Sequence, residues 1–316
     1  MKLVVINSVG PMGSSVISAL LEKYNLINLP LRKTYVSEYV TGKIKLNNNK
    51  YKNKMIELLN YMSKELALGG ASVLKRQDYK PLNRFKINKK EIKKFKNKKF
   101  KSFKEMYFYA LNLANNSTIY KKKLTKVLGS TELAVDCYKY KMSDIEKGYK
   151  KKFKNVVFIN CNRSFEGWIN TLCAVRFVKK KLFLKYLKFN IYKWKKVYLN
   201  YQKNLNSSSG IIINFDDIFL PNFNSTKIKI EKYLKLKKIS LKKIKKLNYD
   251  LYGYEISFSE AFNKYDDKNL VLNKFSICIL KYYKKLKFNI FFDTFFVLLF
   301  CLMFYFDFLR FKLKIK

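Results

Sequence analysis

The chain opens on a short apolar run, Leu3-Val4-Val5-Ile6, that passes at once into the loop Ser8 to Gly13. From Ser14 to Tyr24, Val16, Ile17, Ala19, Leu20 and Leu21 then recur at helical spacing. Strand from Lys2 to Asn7, loop from Ser8 to Gly13 and amphipathic helix from Ser14 make a β-loop-α unit, and this opening commits the N-terminus to a mixed α/β fold. The apolar run is too short for the core of a secretory signal, so the N-terminus is expected to be the fold's first strand.

The same alternation returns later. Val156, Val157, Phe158 and Ile159 lie within a run from Asn155 to Asn160 that reads as a fully buried parallel strand, and Ser164 to Val178 follows as a helix. A long Lys/Tyr/Trp-rich helix is expected from Lys185 to Leu205, a turn at Ser207-Ser208-Ser209-Gly210, and a strand from Ile211 to Phe215. The capping-box spacing Ser143-Asp144-Ile145-Glu146 marks the start of a short helix before the buried strand. Between Val40 and Lys126 the pattern is mostly helical, broken by a Lys/Asn-rich stretch from Asn83 to Lys104 that reads as a solvated face or mobile insertion. The expectation is one α/β domain over residues 1–280, its central parallel sheet flanked by helices on both faces, followed by a basic-flanked apolar segment over 281–316.

Charge narrows the function less than its size implies. The net charge is +45, which would ordinarily point to a polyanion partner, yet only six of the 67 basic residues are arginine. Lysine spread over a solvated surface accounts for most of that charge, and a nucleic-acid partner ranks last among the readings. Arginine is the residue that grips phosphate with a planar fork, so Arg163 stands out in a lysine-rich chain. The sequence contains no histidine, which removes Ser-His-Asp and Cys-His nucleophile systems, His-ligated zinc and the usual imidazole base. Five cysteines without CxxC spacing support neither a zinc ribbon nor a disulfide framework, and a reducing, cytoplasmic compartment fits them.

From Phe288 to Leu309 the chain is nearly all apolar, with an unbroken core from Phe295 to Phe306, and basic residues flank it on both sides. A helix of that length could cross about 30 Å of hydrocarbon. Asp293 and Asp307 oppose spanning, and a buried or interfacial helix is the competing expectation.

Two segments carry candidate chemistry. In the first loop, Gly10 and Gly13 allow close backbone approach, Ser14 and Ser15 add hydroxyls, and the helix N-terminus offers amides and partial positive charge to a phosphate. No Lys follows the glycine and the GxxxxGK spacing is absent, which weakens kinase and GTPase readings. In the second segment the buried strand delivers Arg163 to the carboxyl end of the sheet, where open α/β sheets bind ligands, and Thr171 lies two turns along the next helix.

Together these segments resemble the PAPS-dependent sulfotransferases. In that family the first strand-loop-helix of a P-loop-type three-layer fold binds the 5′-phosphosulfate, and a strand ending in Arg, with a Ser eight residues later, binds the 3′-phosphate. Arg163 and Thr171 stand at that spacing, with Thr in place of Ser. The stretch Ile211 to Ile218 is similar to the family's late strand, and the preceding helix carries Trp194 where the family tends to carry a Trp. The resemblance runs from Lys2 to about Asn222. It implies PAPS as donor, no metal, and an acceptor hydroxyl on a carbohydrate.

Two departures accompany it. Pro11 and Met12 stand where the family has Lys or Arg before the glycine, so either another cation arrives, with Arg32 and Lys33 as candidates, or activity is weakened or lost. The family's base is His or Glu, which leaves Glu132, in Leu128-Gly129-Ser130-Thr131-Glu132 at the end of an expected helix, as the candidate here. The alternatives are a catalytically inactive nucleotide-binding or scaffold protein of the same fold and a P-loop kinase for a small molecule.

Overall fold

A computed structural model describes residues 1–9, 12–28, 40, 48–64, 88–117, 128–134, 141–178, 183–218, 222–244, 248–249, 255–256, 272–287 and 289–315. Gly10, Pro11, Arg32 and Lys33 lie outside the described residues, as do the side chains of Ser15 and Glu132.

Among the described residues, five strands form one parallel sheet. They are β1 (Lys2–Asn7), β2 (Leu26–Asn28), β3 (Gly129–Ala134), β4 (Val156–Asn162) and β5 (Ile211–Asn214), in the order β2-β3-β1-β4-β5. Leu3, Val4, Val5 and Ile6 of the central strand are fully buried, on both faces, as a strand sandwiched between helical layers must be. Each such side chain contributes about 1.5–3 kcal/mol of burial. The fold is α/β with a central parallel sheet, as the opening β-loop-α unit implies.

The helices are α1 (Ser14–Glu22), α2 (Asn48–Lys64), α3 (Lys89–Asn97), α4 (Phe103–Ser117), α5 (Met142–Lys152), α6 (Phe165–Val178), α7 (Phe183–Leu205), α8 (Phe223–Leu234), α9 (Leu241–Ile244), α10 (Lys274–Lys285) and α11 (Ile290–Ile315). A short two-stranded antiparallel pair, β6 (Asn248–Tyr249) and β7 (Glu255–Ile256), stands apart from the main sheet. An aromatic chain carries the core outward from the sheet. Phe158 of β4 meets Tyr149, Tyr149 meets Phe153, Phe153 meets Phe103, and Phe103 meets Tyr51 at 4.5 Å between ring centroids.

Three local expectations are corrected. The Lys/Asn-rich stretch contains α3, whose Ile92 and Phe95 are buried three positions apart; its lysines occupy the outward positions, and their density hides the period. The Ser143 capping box does not form, because the N-cap is Lys141, two residues earlier, and Glu146 turns away to accept from the Ser209 amide at 3.0 Å and from the Ser208 hydroxyl. Glu132 is not at a helix end. It lies within β3, paired in register with Val5. Gly129 explains the strand: a Cβ there would stand 2.0 Å from the Lys2 carbonyl oxygen, so only glycine lets β3 lie this close against β1.

The strand order reverses at the centre of the sheet. From β1 the chain crosses to β2 on one side, whereas from β4 it continues outward to β5 on the other. Diverging connections place the switch point at the carboxyl ends of β1 and β4, and such a switch point is where open parallel sheets take ligands.

Candidate functional site

Asn7 ends β1 and Asn162 ends β4, and several buried polar contacts fix the distance between the two strand ends. Asn7 Nδ2 donates to Asn160 Oδ1 at 2.8 Å, and Asn160 Nδ2 donates to Ser208 at 2.7 Å. From α7, the Tyr201 hydroxyl donates to the Cys161 carbonyl at 2.5 Å and lies 3.2 Å from the Asn7 carbonyl. Tyr198, one turn earlier, donates to the Arg163 carbonyl at 2.9 Å. Burial, reinforced by the charge of Glu166, pushes the Tyr198 phenol up to about 12, so it remains a neutral donor.

On the β1 side, Gly13 caps α1 with φ of 89°, in the left-handed region that side chains rarely adopt. The first intrahelical bonds run from Val16 and Ile17 to the Gly13 carbonyl, so the amides of Ser14 and Ser15 precede the helical ladder. The Ser14 hydroxyl is nearly buried, 3.1 Å from that of Ser8. Amides and a hydroxyl at the positive end of a helix dipole suit an anion.

On the β4 side, Arg163 follows the strand, and its guanidinium carbon lies 3.7 Å from the centroid of the Phe215 ring. Phe215 also packs against the loop glycine: a Cβ on Gly13 would come within 2.8 Å of its ring and of Ile218. One aromatic ring therefore has the loop glycine and the arginine as its neighbours. Gly167, in the first turn of α6, leaves room for the arginine, since a Cβ there would stand 3.1 Å from Arg163 Nε. Thr171 lies on the same helix, and its hydroxyl donates back to the Gly167 carbonyl at 3.3 Å. To serve a ligand as donor, Thr171 would have to release that bond.

The structure thus brings Gly13, Ser14 and Arg163 together at the switch point, with Thr171 one turn beyond Gly167 on α6. Glu132 sits on the neighbouring strand, two residues before its carboxyl end. Met12 of the loop is fully buried, so its side chain is turned into the core. Cys161 is inert, because complete burial raises its thiol pKa far above the reactive range. Sequence reasoning singled out Arg163 but missed Phe215, Tyr198 and Tyr201. The two tyrosines follow Trp194 at four and seven residues on α7, and that aromatic stripe was the available signal.

Fold and site together define an α/β domain with an anion-suited helix N-terminus and an arginine at the switch point of a parallel sheet. The chain matches no protein-family model and no curated protein sequence. Among solved structures it is similar to a sulfotransferase domain from the olefin synthase of Synechococcus PCC 7002, at 10% identity and a TM-score of 0.43, over 94% of this chain and 93% of that one.

Proposed function

We propose that the switch point binds an adenosine nucleotide phosphorylated at both the 5′ and 3′ positions, and that the chain transfers a sulfuryl group from PAPS to an acceptor hydroxyl, of a carbohydrate by resemblance. The observation that carries this reading is the Phe215 ring, which has the Gly13-capped α1 terminus and Arg163 as neighbours. Two anion-suited groups at one switch point match a ligand with two separated phosphate groups better than one with a single chain of phosphates.

The residues fit such a ligand. Ser14, with the amides of Ser14 and Ser15, would hold the 5′ group, and Arg163, with Thr171 once its hydroxyl is released from Gly167, would hold the 3′-phosphate. PAPS supplies the sulfuryl group: an acceptor oxygen bonds to sulfur, the bridging S–O bond breaks, and adenosine 3′,5′-bisphosphate leaves with the bond's electrons. The acceptor's proton passes to a base, for which Glu132 is our assignment. The α1 helix dipole and the Ser14 and Ser15 amides would stabilise the charge left on the departing 5′-phosphate. A cytoplasmic setting suits the free Cys278 thiol, which is exposed.

The test is thermal unfolding of the full chain with adenosine 3′,5′-bisphosphate and, separately, with ATP, since a ligand that binds only the folded state raises the melting temperature. Selective stabilisation by the bisphosphate is expected. Stabilisation by ATP alone would move the assignment to a small-molecule kinase, and no shift with either would remove the nucleotide site.

A second reading has its own support in the buried Met12. A loop without its cation suits a protein that binds the nucleotide and transfers nothing. Bisphosphate binding with no turnover of PAPS on any acceptor would select it.

A further inference from the structure

Helix α11 divides along its length into two faces. Phe296, Phe300, Phe304, Asp293 and Asp307 are buried, while Phe291, Phe292, Phe295, Leu298, Leu302 and Phe306 face outward, each at least 59% exposed. Outward positions continue through Leu309 to Leu313. At 1.5 Å per residue, the stripe from Phe291 to Leu313 is about 33 Å long. Tyr282 of α10, also exposed, extends it sideways, its ring 6.3 Å from that of Phe296. An apolar stripe of this length is far beyond what isolated surface residues produce and marks an interaction face.

The helix is fastened to the protein on the opposite side. Asp293 accepts from the Tyr283 hydroxyl at 2.8 Å and the Asn289 amide at 3.1 Å. Asp307 accepts from the Ser276 hydroxyl at 2.7 Å and the Asn273 amide at 3.1 Å, with Arg310 at 3.3 Å. Both carboxylates that would be costly inside hydrocarbon therefore point into the domain, near the two ends of the helix. Crossing a bilayer would tear these contacts out and bury the two aspartates in lipid.

We propose that α11 lies in the plane of an anionic lipid bilayer, with its outward stripe in the acyl boundary and its aspartate face kept in the protein. Charge selects lipid over a second copy. Exposed Lys281, Lys285 and Lys287 border the stripe, and the whole chain carries +45, so two copies repel each other while anionic headgroups attract. The Phe and Tyr content of the face matches side chains favoured at the headgroup level.

The experiment floats the full chain with phosphatidylcholine vesicles, with and without phosphatidylserine, and compares Leu298→Asp/Leu302→Asp by the same assay with circular dichroism as the fold control. Binding to the anionic vesicles is expected. The bound fraction should fall at least about tenfold without phosphatidylserine and at least about tenfold in the double variant, and alkaline carbonate should strip the wild-type chain from the vesicles. Absence of binding, binding unchanged in the folded variant, retention through carbonate as for a spanning helix, or a stripe-dependent dimer that does not float would each overturn the proposal. Should the variant lose its helical signature, the lipid-composition and carbonate arms on the unaltered chain decide.

Discussion

The guanidinium carbon of Arg163 stands 3.7 Å from the centroid of the Phe215 ring. Such stacking contributes about 0.5–2 kcal/mol and holds the fork in one orientation, which lowers the entropy lost when it meets a phosphate. The ring that orients the arginine also abuts Gly13, so changes at Phe215 reach both halves of the proposed site.

Arg163→Ala removes the charged fork and should weaken adenosine 3′,5′-bisphosphate binding by about 10- to 100-fold, the range of one or two charge-assisted hydrogen bonds. Arg163→Lys keeps the charge but loses the planar stack and should recover only part of the affinity. Titration calorimetry reads both, and an Arg163→Ala protein with wild-type affinity would remove the arginine from the site.

Gly13→Ala combines two penalties. The left-handed backbone costs a side chain about 1–2 kcal/mol, and the new methyl meets Phe215 and Ile218 at 2.8 Å. A loss of about 2–4 kcal/mol in denaturant unfolding is expected. Gly13→Ala with unchanged stability would mean that the α1 entry differs from the geometry described.

Tyr201→Phe deletes a hydroxyl that reaches the carbonyls of both Cys161 and Asn7. Leaving buried carbonyl oxygens short of a donor costs about 1–3 kcal/mol. Because those carbonyls lie at or next to the ends of β1 and β4, which frame the proposed site, the variant should also bind the bisphosphate more weakly. A stability loss with unchanged affinity would restrict Tyr201 to a packing role.

Glu231 gives the pH signature. Burial alone would raise its pKa, but the Ile239 amide, the Tyr24 hydroxyl and the Lys227 ammonium together hold it below the usual value. The unfolded chain therefore takes up this proton first as pH falls. The contribution is complete above the ordinary glutamate range and is lost as pH drops through the lower folded value. Glu231→Gln, which leaves Lys227 buried without its carboxylate, should cost about 3 kcal/mol at neutral pH, and the gap should narrow as pH falls below the ordinary glutamate range. Urea unfolding of both proteins across that range checks the slope, and a gap independent of pH would sink the argument.

What could be read from the sequence followed local apolar patterning. Leu3 to Ile6 and Val156 to Ile159 announce buried strands because their side chains are uniformly apolar, and Arg163 announces itself by being rare. β3 was hidden because its decisive residue, Gly129, works through the absence of a side chain against a strand more than a hundred residues away. α3 was hidden because lysines outnumber the two residues that anchor it. Phe215 was visible in the sequence but its role was not, since standing beside both Gly13 and Arg163 is a property of the strand order and not of any window of residues. The two faces of α11 were equally hidden, because a helix apolar all round gives no periodicity to read.

The place of β1 at the centre of the sheet also governs when the domain can assemble. Its neighbours are residues 129–134 and 156–162, so this strand has no partner until residues 129–134 have left the ribosome, and it is flanked on both sides only once Asn162 has followed. At about 5–20 residues per second, that wait is on the order of 10–30 s. Throughout it, Leu3 to Ile6 are an unpaired apolar strand on a nascent chain. A strand buried at the centre of the finished sheet is thus one that a chaperone at the exit tunnel would hold until its neighbours arrive.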